Sequence, residues 1–498
     1  MDVEEEESET ASCASEVPEN DDEVLAEPDV VETGEDQPDT ESDDDDVLYQ
    51  INDIGPYFGK NGAVQWSRFP LDIGKTRSVN KMTGEGGVTP HARSRVMDMP
   101  DCIDLFLTSA IKESIVLHTN EEGNRRYGKT EWVPFDVVEL DAFLGMLLLQ
   151  GVHMDGTVPV SELWSEGEGK KIYQACMSRK RFAQITCSLR FDDSTREKRV
   201  ELDKMTHVRE FFEMWSLSLR TNYLPYESAC VDEQLFPFKG RCGFKQYIPT
   251  KPRSKYGLKL FLLCCCRTSH CCNIQLYTGK PVGGKPEKNQ GKRVVLDLVD
   301  YLGDDSGRNV TTDNFFTSLA LGEALLKKNI SLIGTIRKSR PEIPSAFLPS
   351  KYREVHSSLF GHTSDFTLVS YVPKKGKAVT LLSSMHLDAD IDESSKEEKP
   401  EIVMEYNRTK AGVDTLDQLT GNYSCRRKTS RWPMALFYDI LDISALDAYI
   451  IWCEINPGWN STLPTKRRMF LQDVSKKMMQ RQLLRRSTTP NCSEKKSK

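Results

Sequence analysis

ESACVDEQLFPFKGR, residues 227–241, marks the point where the pattern of the chain changes. Upstream, from MPDCIDLFLTSAIKESIVLHTN (99–120) to REFFEMWSLSLRTNYL (209–224), apolar residues recur at intervals of three and four, the spacing of amphipathic helices. FDVVELDAFLGMLLLQGV (135–152) and SRKRFAQITCSLRF (178–191) are the clearest of these. From Glu227 onward the runs become short and rich in β-formers: the opening stretch itself, then GLKLFLLCCC (257–266) and CNIQLYTG (272–279). Turn-like RCGFKQYIPTKPRSKY and RTSH separate them, which predicts a three-strand meander.

GKRVVLDLVDYL (291–302) follows as a helix, RNVTTDNFF (308–316) as a strand ending in acid and amide, TSLALGEALLKKN (317–329) as a helix and SLIGTIRK (331–338) as a strand. The order β-β-β-α-β-α-β is that of an RNase H-like α/β fold with mixed strand directions. Residues 341 to about 400 interrupt it with polar, Pro- and Ser-rich sequence holding strand-like DFTLVSYV and AVTLLSS. NRTKAGVDTLDQL (407–419) comes after that insertion and opens a helix from which Asp414 and Asp417 project on one side.

Acidic residues in a first helical turn are ordinary, because they offset the positive end of the helix dipole. Two other aspartates promote this pair. Asp232 lies on the first meander strand and Asp313 at the end of the fourth, and those strands are neighbours in an RNase H-like sheet. A helix packing back onto the sheet can bring Asp414 to the same place. Three hard oxygen donors so gathered repel one another unless a divalent cation sits among them. Two Mg²⁺ ions (Mn²⁺ can substitute) would then activate a water or 3′-hydroxyl and stabilise the leaving oxygen of a phosphodiester.

The chain has 498 residues and a net charge of −9, but the average hides an asymmetry. Residues 1–50 hold 22 of the 75 acidic residues and no Lys or Arg, so the remainder carries a basic excess of 13. Such an acidic segment is expected to be disordered, and a basic body favours a polyanionic partner. The opening lacks the basic-then-apolar pattern of a secretory signal, and no apolar run reaches membrane-spanning length. Of fourteen cysteines, five fall within Cys264–Cys272. Adjacent cysteines on a strand point to opposite faces, so these read as buried strand residues rather than a metal site with His270. From Lys466 onward the chain carries eleven Lys/Arg against two acids: a nuclear address, a nucleic-acid contact or a solvated helix face.

VDEQLFPFKGRCGFKQYIPTKPRSKYGLKLF, TTDNFFTSLALGEALLKKNISLIGTIRKSRPEIP and EYNRTKAGVDTLDQL with RRKTSRWPMALFYDIL resemble the piggyBac transposase family over residues 96 to 480. The resemblance implies catalytic aspartates at Asp232, Asp313 and Asp414, with Asp417 as a fourth acid. It implies a homodimer that acts on double-stranded DNA in the nucleus, cutting transposon ends at TTAA and joining them to a new TTAA. It also implies a layout: a helical dimerisation and DNA-binding domain split into 96–228 and 421–485, a catalytic core split into 229–340 and 401–420, and an insertion domain (341–400); composition adds an acidic, then Gly-rich and polar, mostly disordered tail (1–95) and a basic tail (486–498).

Lys251, Arg253, Lys255 and Lys259, crowded around Pro252 and Tyr256, fit either DNA contact or a solvated loop. Arg337 and Arg340 match family positions implicated in DNA handling. Arg426, Arg427, Lys428 and Arg431 surround Trp432, which reads equally as a ring stacking on a flipped base or as a core tryptophan. Two departures from the family stand out. Ala411-Gly412 replaces Gly-Gly, which is tolerated unless that backbone needs a positive φ. In addition, Cys492 alone follows Cys453, so the tail is not expected to build the family's cysteine-rich zinc module. A metal-dependent transposase is the first reading. A domesticated DNA-binding or chromatin protein without transposition is the second, and an ordinary RNase H-like nuclease a distant third.

Overall fold

The computed structural model describes residues 55–71, 78–193, 199, 203–249, 254–280, 287–304, 306–394 and 396–488. The acidic stretch 1–50, Lys251, Arg253 and Cys492 lie outside these described residues.

The helical region contributes α1 (Ser109–Glu131), α2 (Val137–Val152), α3 (Arg179–Ser188) and α4 (Arg209–Asn222). Their starts follow capping chemistry: Thr108, Asp136 and Ser178 each accept a hydrogen bond from a backbone N–H of the first turn. The meander follows as β1 (Ser228–Pro237), a short β2 (Gln246–Tyr247), β3 (Tyr256–Cys265) and β4 (Cys271–Leu276). Next come α5 (Gln290–Val299), β5 (Asn309–Thr312), α6 (Leu319–Leu326) and β6 (Ser331–Thr335). The chain continues through β7 (Ser358–His362), β8 (Thr367–Lys374) and β9 (Lys377–Ser383) to α7 (Glu401–Thr409), α8 (Gly412–Asn422), α9 (Trp432–Ile455) and α10 (Lys466–Thr488).

Among the described residues the main strands form one nine-stranded mixed sheet in the order β7-β8-β9-β6-β5-β1-β3, with β2 and β4 both pairing with β3. β1 runs antiparallel to β3 and parallel to β5, and β5 runs parallel to β6. The strand-like pieces of residues 358–383 extend this same sheet, β9 pairing antiparallel with β6. Cys264, Cys265, Cys271 and Cys272 are buried on β3 and β4, as strand alternation predicts.

Helices cover both faces. On one, Gly412 at the start of α8 sits over Cys230 and Cys264, and Gln234 reaches Asp439 of α9. On the other, the side-chain amide of Asn273 on β4 donates to the Leu298 carbonyl of α5. No helix of the described residues is long and apolar enough to cross a membrane.

One expectation is corrected. The polar stretch up to residue 95 is expected to be mostly disordered, yet Tyr57–Phe58 pairs with Gln65–Trp66 and Ser67 bridges to His362. Trp66 is 1% exposed, packed with Phe347 and Phe366, and its indole N–H donates to the Glu342 carbonyl at 3.0 Å. Isolated aromatic anchors in Gly-rich sequence leave no periodicity to read, and their partners lie some 280 residues away.

Candidate catalytic metal site

The site begins with strand register. Val231 on β1 pairs with Thr312 on β5, the last pair between these two parallel strands, so the next residues, Asp232 within β1 and Asp313 just past the end of β5, emerge side by side. Asp313 is fixed by its own turn: its Oδ1 accepts from the Phe315 N–H at 2.9 Å, while its carbonyl accepts from the Thr317 hydroxyl at 2.7 Å. Thr317 in turn shares a 2.7 Å hydrogen bond with Thr312. Asp232 curls back on its strand, its Oδ1 accepting from the Glu233 N–H at 2.7 Å.

Carboxylate oxygens of Asp232, Glu233 and Asp313 all lie within 4.8 Å of one another. Burial raises the Asp313 carboxyl from its ordinary 3.8 to about 6, with the Glu233 charge adding to the rise; amides of Phe315 and Phe316 and the Lys259 ammonium oppose it. Tyr406 of α7 is pushed up to about 12, first by burial and then by the charges of Asp313 and Asp232, which places its phenol beside the cluster. Three hard oxygen donors with this much mutual repulsion fit a divalent cation.

Asp414 reaches the neighbourhood through α8. A Cβ on Gly412 would lie 3.1 Å from the Cys230 Cβ, so the absent side chain lets the helix rest on the sheet. The Cys230 thiol donates to the Lys410 carbonyl at 3.0 Å, and the Thr311 hydroxyl on β5 bonds Thr409 at 2.8 Å, tying the α7–α8 junction down. Burial, then the charge of Asp232 and further down that of Asp414, pushes the Cys230 thiol up, so the charges of both aspartates bear on this sulfur. Ala411 has φ −89° and needs no glycine. The Asp414 carboxylate is exposed and stands outside the 4.8 Å grouping. Asp417, half-buried one turn on, bears on Asp439: burial and then the Asp417 charge raise that carboxyl.

A family model described as Transposase IS4 matches residues 101–449. A cryo-EM structure of the piggyBac transposase synaptic complex with hairpin DNA matches with a TM-score of 0.76 and 34% identity, over 83% of this chain and 86% of that one. The chain belongs to the piggyBac transposase family. PiggyBac transposable element-derived protein 3 of Homo sapiens is 25% identical over 377 residues, which cover 71% of this chain and 61% of that protein. The chimeric ERCC6-PGBD3 protein of Homo sapiens is equally similar, with 34% of its length covered. The chain thus spans less than two thirds of each of these relatives.

The basic residues singled out from the sequence divide into two groups. Lys255, Arg426 and Lys428 are exposed. Lys259 is not: it is 3% exposed, its Nζ lies 4.0 Å from Glu233 Oε2, and the rings of Phe261 and Phe315 cover it, so it is no free phosphate contact. Arg427 donates to Gln150 Oε1 and to the carbonyls of Asp155 and Val158, which binds it into the α2 region. Arg431 donates to the carbonyls of Thr186, Cys187 and Leu189, capping the end of α3. Arg337 and Arg340 are half-buried in the loop after β6, Arg337 lying 5.8 Å from the Phe315 ring. Trp432 is half-buried at the start of α9, edge-on to Phe244 and His207, as a packing residue would be.

Sequence reasoning did not select Glu233, Tyr406 or the pairing of Lys259. Strand alternation sends Glu233 to the face opposite Asp232, yet beyond the end of β5 all three carboxylates lie within 4.8 Å of one another.

Proposed function

We propose that the chain is a metal-dependent transposase that cuts and joins DNA at TTAA sites, with Asp232, Asp313 and Asp414 holding two divalent cations, Mg²⁺ or Mn²⁺. The observation that carries this reading is the convergence of Asp232, Glu233 and Asp313 within 4.8 Å, in a chain of the piggyBac family. The central strand order β4-β3-β1-β5-β6, with three antiparallel strands followed by two parallel ones, supports an RNase H-like core.

Cations held there would activate a water or 3′-hydroxyl and stabilise the leaving oxygen of the phosphodiester. The chain's own residues supply the rest. Phe315 fixes the Asp313 carboxylate and Thr317 its main-chain carbonyl, just past the end of β5. Gly412 lets α8 approach so that the exposed Asp414 can turn onto the cluster. Exposed Lys255, Arg426 and Lys428 are free to neutralise DNA phosphates, and we assign the working form to a homodimer in the nucleus.

The second reading, a domesticated DNA-binding protein without catalysis, draws on one observation: Asp414 stands outside the cluster. Incubating TTAA-flanked DNA with Mg²⁺ and either the wild-type protein or Asp313→Asn separates the two. Strand cleavage lost in the variant supports the enzyme. DNA binding without cleavage supports the domesticated form.

A further inference from the structure

We propose that Lys259 is a positioning residue, anchored by Glu233, whose ammonium offsets part of the mutual repulsion of the Asp232, Glu233 and Asp313 carboxylates before any divalent cation binds, supplying part of the positive charge that the site requires. This inference rests on the metal-site reading above.

The geometry starts from β1 and β3. Leu235 pairs with Lys259 and Glu233 with Phe261, so Lys259 sits diagonally across from Glu233 on the face opposite the one α8 covers. Its ammonium lies 4.0 Å from Glu233 Oε2 and 5.0 Å from the ring centroids of both Phe261 and Phe315. Phe315 is also the residue whose N–H orients Asp313, so one residue touches both the cation and the aspartate. A lysine 3% exposed and roofed by two rings is expensive unless carboxylates compensate it. Here the compensating group, Glu233, is itself part of the three-carboxylate cluster. Each half offsets a cost of the other: Lys259 lessens the repulsion within the cluster, and Glu233 supplies a carboxylate 4.0 Å from the buried ammonium. The pair therefore works from behind the cluster while Asp414 approaches from the other face.

Thermal unfolding of the full chain with and without Mn²⁺, with calorimetric Mn²⁺ titration, tests this for the wild type, Lys259→Met, Lys259→Arg, Glu233→Gln, the Glu233→Gln/Lys259→Met double variant and Asp313→Asn. Lys259→Met should unfold at lower temperature without metal and regain most of that loss with Mn²⁺, a larger gain than the wild type shows. Lys259→Arg keeps the charge and should show a gain close to the wild type. Glu233→Gln should weaken Mn²⁺ binding roughly 10-fold, as loss of a supporting partner does. The double variant, lacking both charges, should be more stable without metal than Lys259→Met. A Lys259→Met loss that Mn²⁺ does not repair, in a protein that still binds Mn²⁺, overturns the proposal and leaves Lys259 a packing residue. Absence of Mn²⁺ binding in the wild type, indistinguishable from Asp313→Asn, overturns the metal reading and this inference with it.

Discussion

Asp232 and Asp313 stand one residue beyond the last register pair, Val231 with Thr312, of two adjacent parallel strands. Hydrogen-bonded pairing thus fixes their backbones, and their separation does not depend on a loop. Replacing either by Asn removes charge from a shared site while leaving the strands paired. Asp232→Asn and Asp313→Asn should each lower strand cleavage by orders of magnitude and abolish most divalent-cation binding, measured by calorimetry, with little change in circular dichroism.

Gly412 sets how closely α8 rests on the sheet. The contact it makes with Cys230 leaves no room for a branched side chain, since even a bare Cβ lies 3.1 Å from the Cys230 Cβ. Gly412→Val should displace the helix and with it Asp414, reducing cleavage at least tenfold while the rest of the chain stays folded. Wild-type cleavage by that variant would show that Asp414 does not depend on this approach.

Asp417 faces a different neighbour from Asp414. Its charge adds to the burial that already raises the Asp439 carboxyl, so removing it relieves a like-charge contact. Asp417→Asn should therefore unfold at the same or a higher temperature than the wild type. It should also lose less cleavage activity than Asp414→Asn, and equal loss in parallel assays would contradict that ranking.

The arginines around Trp432 separate by experiment as they do by geometry. Arg431→Ala removes three hydrogen bonds to the end of α3 and should cost roughly 2 kcal/mol of stability. Arg426→Ala and Lys428→Ala should leave unfolding unchanged and reduce the salt dependence of DNA binding, whose slope is about −0.9 per phosphate contact. Filter binding across a salt series, alongside thermal unfolding, reads both.

Asp442 gives a pH dependence with a definite sign. Buried on α9, it accepts from the Ser424 hydroxyl and the Cys425 N–H, yet burial lifts its carboxyl from 3.8 to about 6. A carboxyl raised on folding contributes stability that is fully present below pH 3.8 and is lost as pH climbs through about 6. The rise corresponds to on the order of 3 kcal/mol. Denaturant midpoints between pH 4 and 7 should fall less steeply with pH in Asp442→Asn than in the wild type.

Much of this architecture was legible because it rests on local pattern. The meander, the two helix–strand units and the helix of Asp414 show as changes of period, and β1, β3, β4, β5 and β6 fall where the alternating runs lie. The site was legible only in part. Asp232 and Asp313 can be paired from topology, since strand ends in a known sheet order have known neighbours. Glu233 cannot, because alternation alone assigns it to the other face, although its carboxylate lies within 4.8 Å of the other two. Basic residues mislead for a related reason. Lys259, Arg427 and Arg431 look like surface cations in a string of letters, while their partners, Glu233, Gln150 and the carbonyls ending α3, come from other elements. Trp66 is the same problem in reverse, an anchor whose partner Glu342 belongs to a distant loop.

The most direct measurement is cleavage of an end-labelled duplex carrying TTAA beside a transposon end, by the wild-type chain and by Asp313→Asn, with Mg²⁺, Mn²⁺ or a chelator. The account predicts nicks at the TTAA boundary with either cation, none with the chelator, and none from the Asp313→Asn protein. Cleavage that persists in the chelator or in Asp313→Asn would contradict it, as would a wild-type chain that binds the DNA and never cuts it.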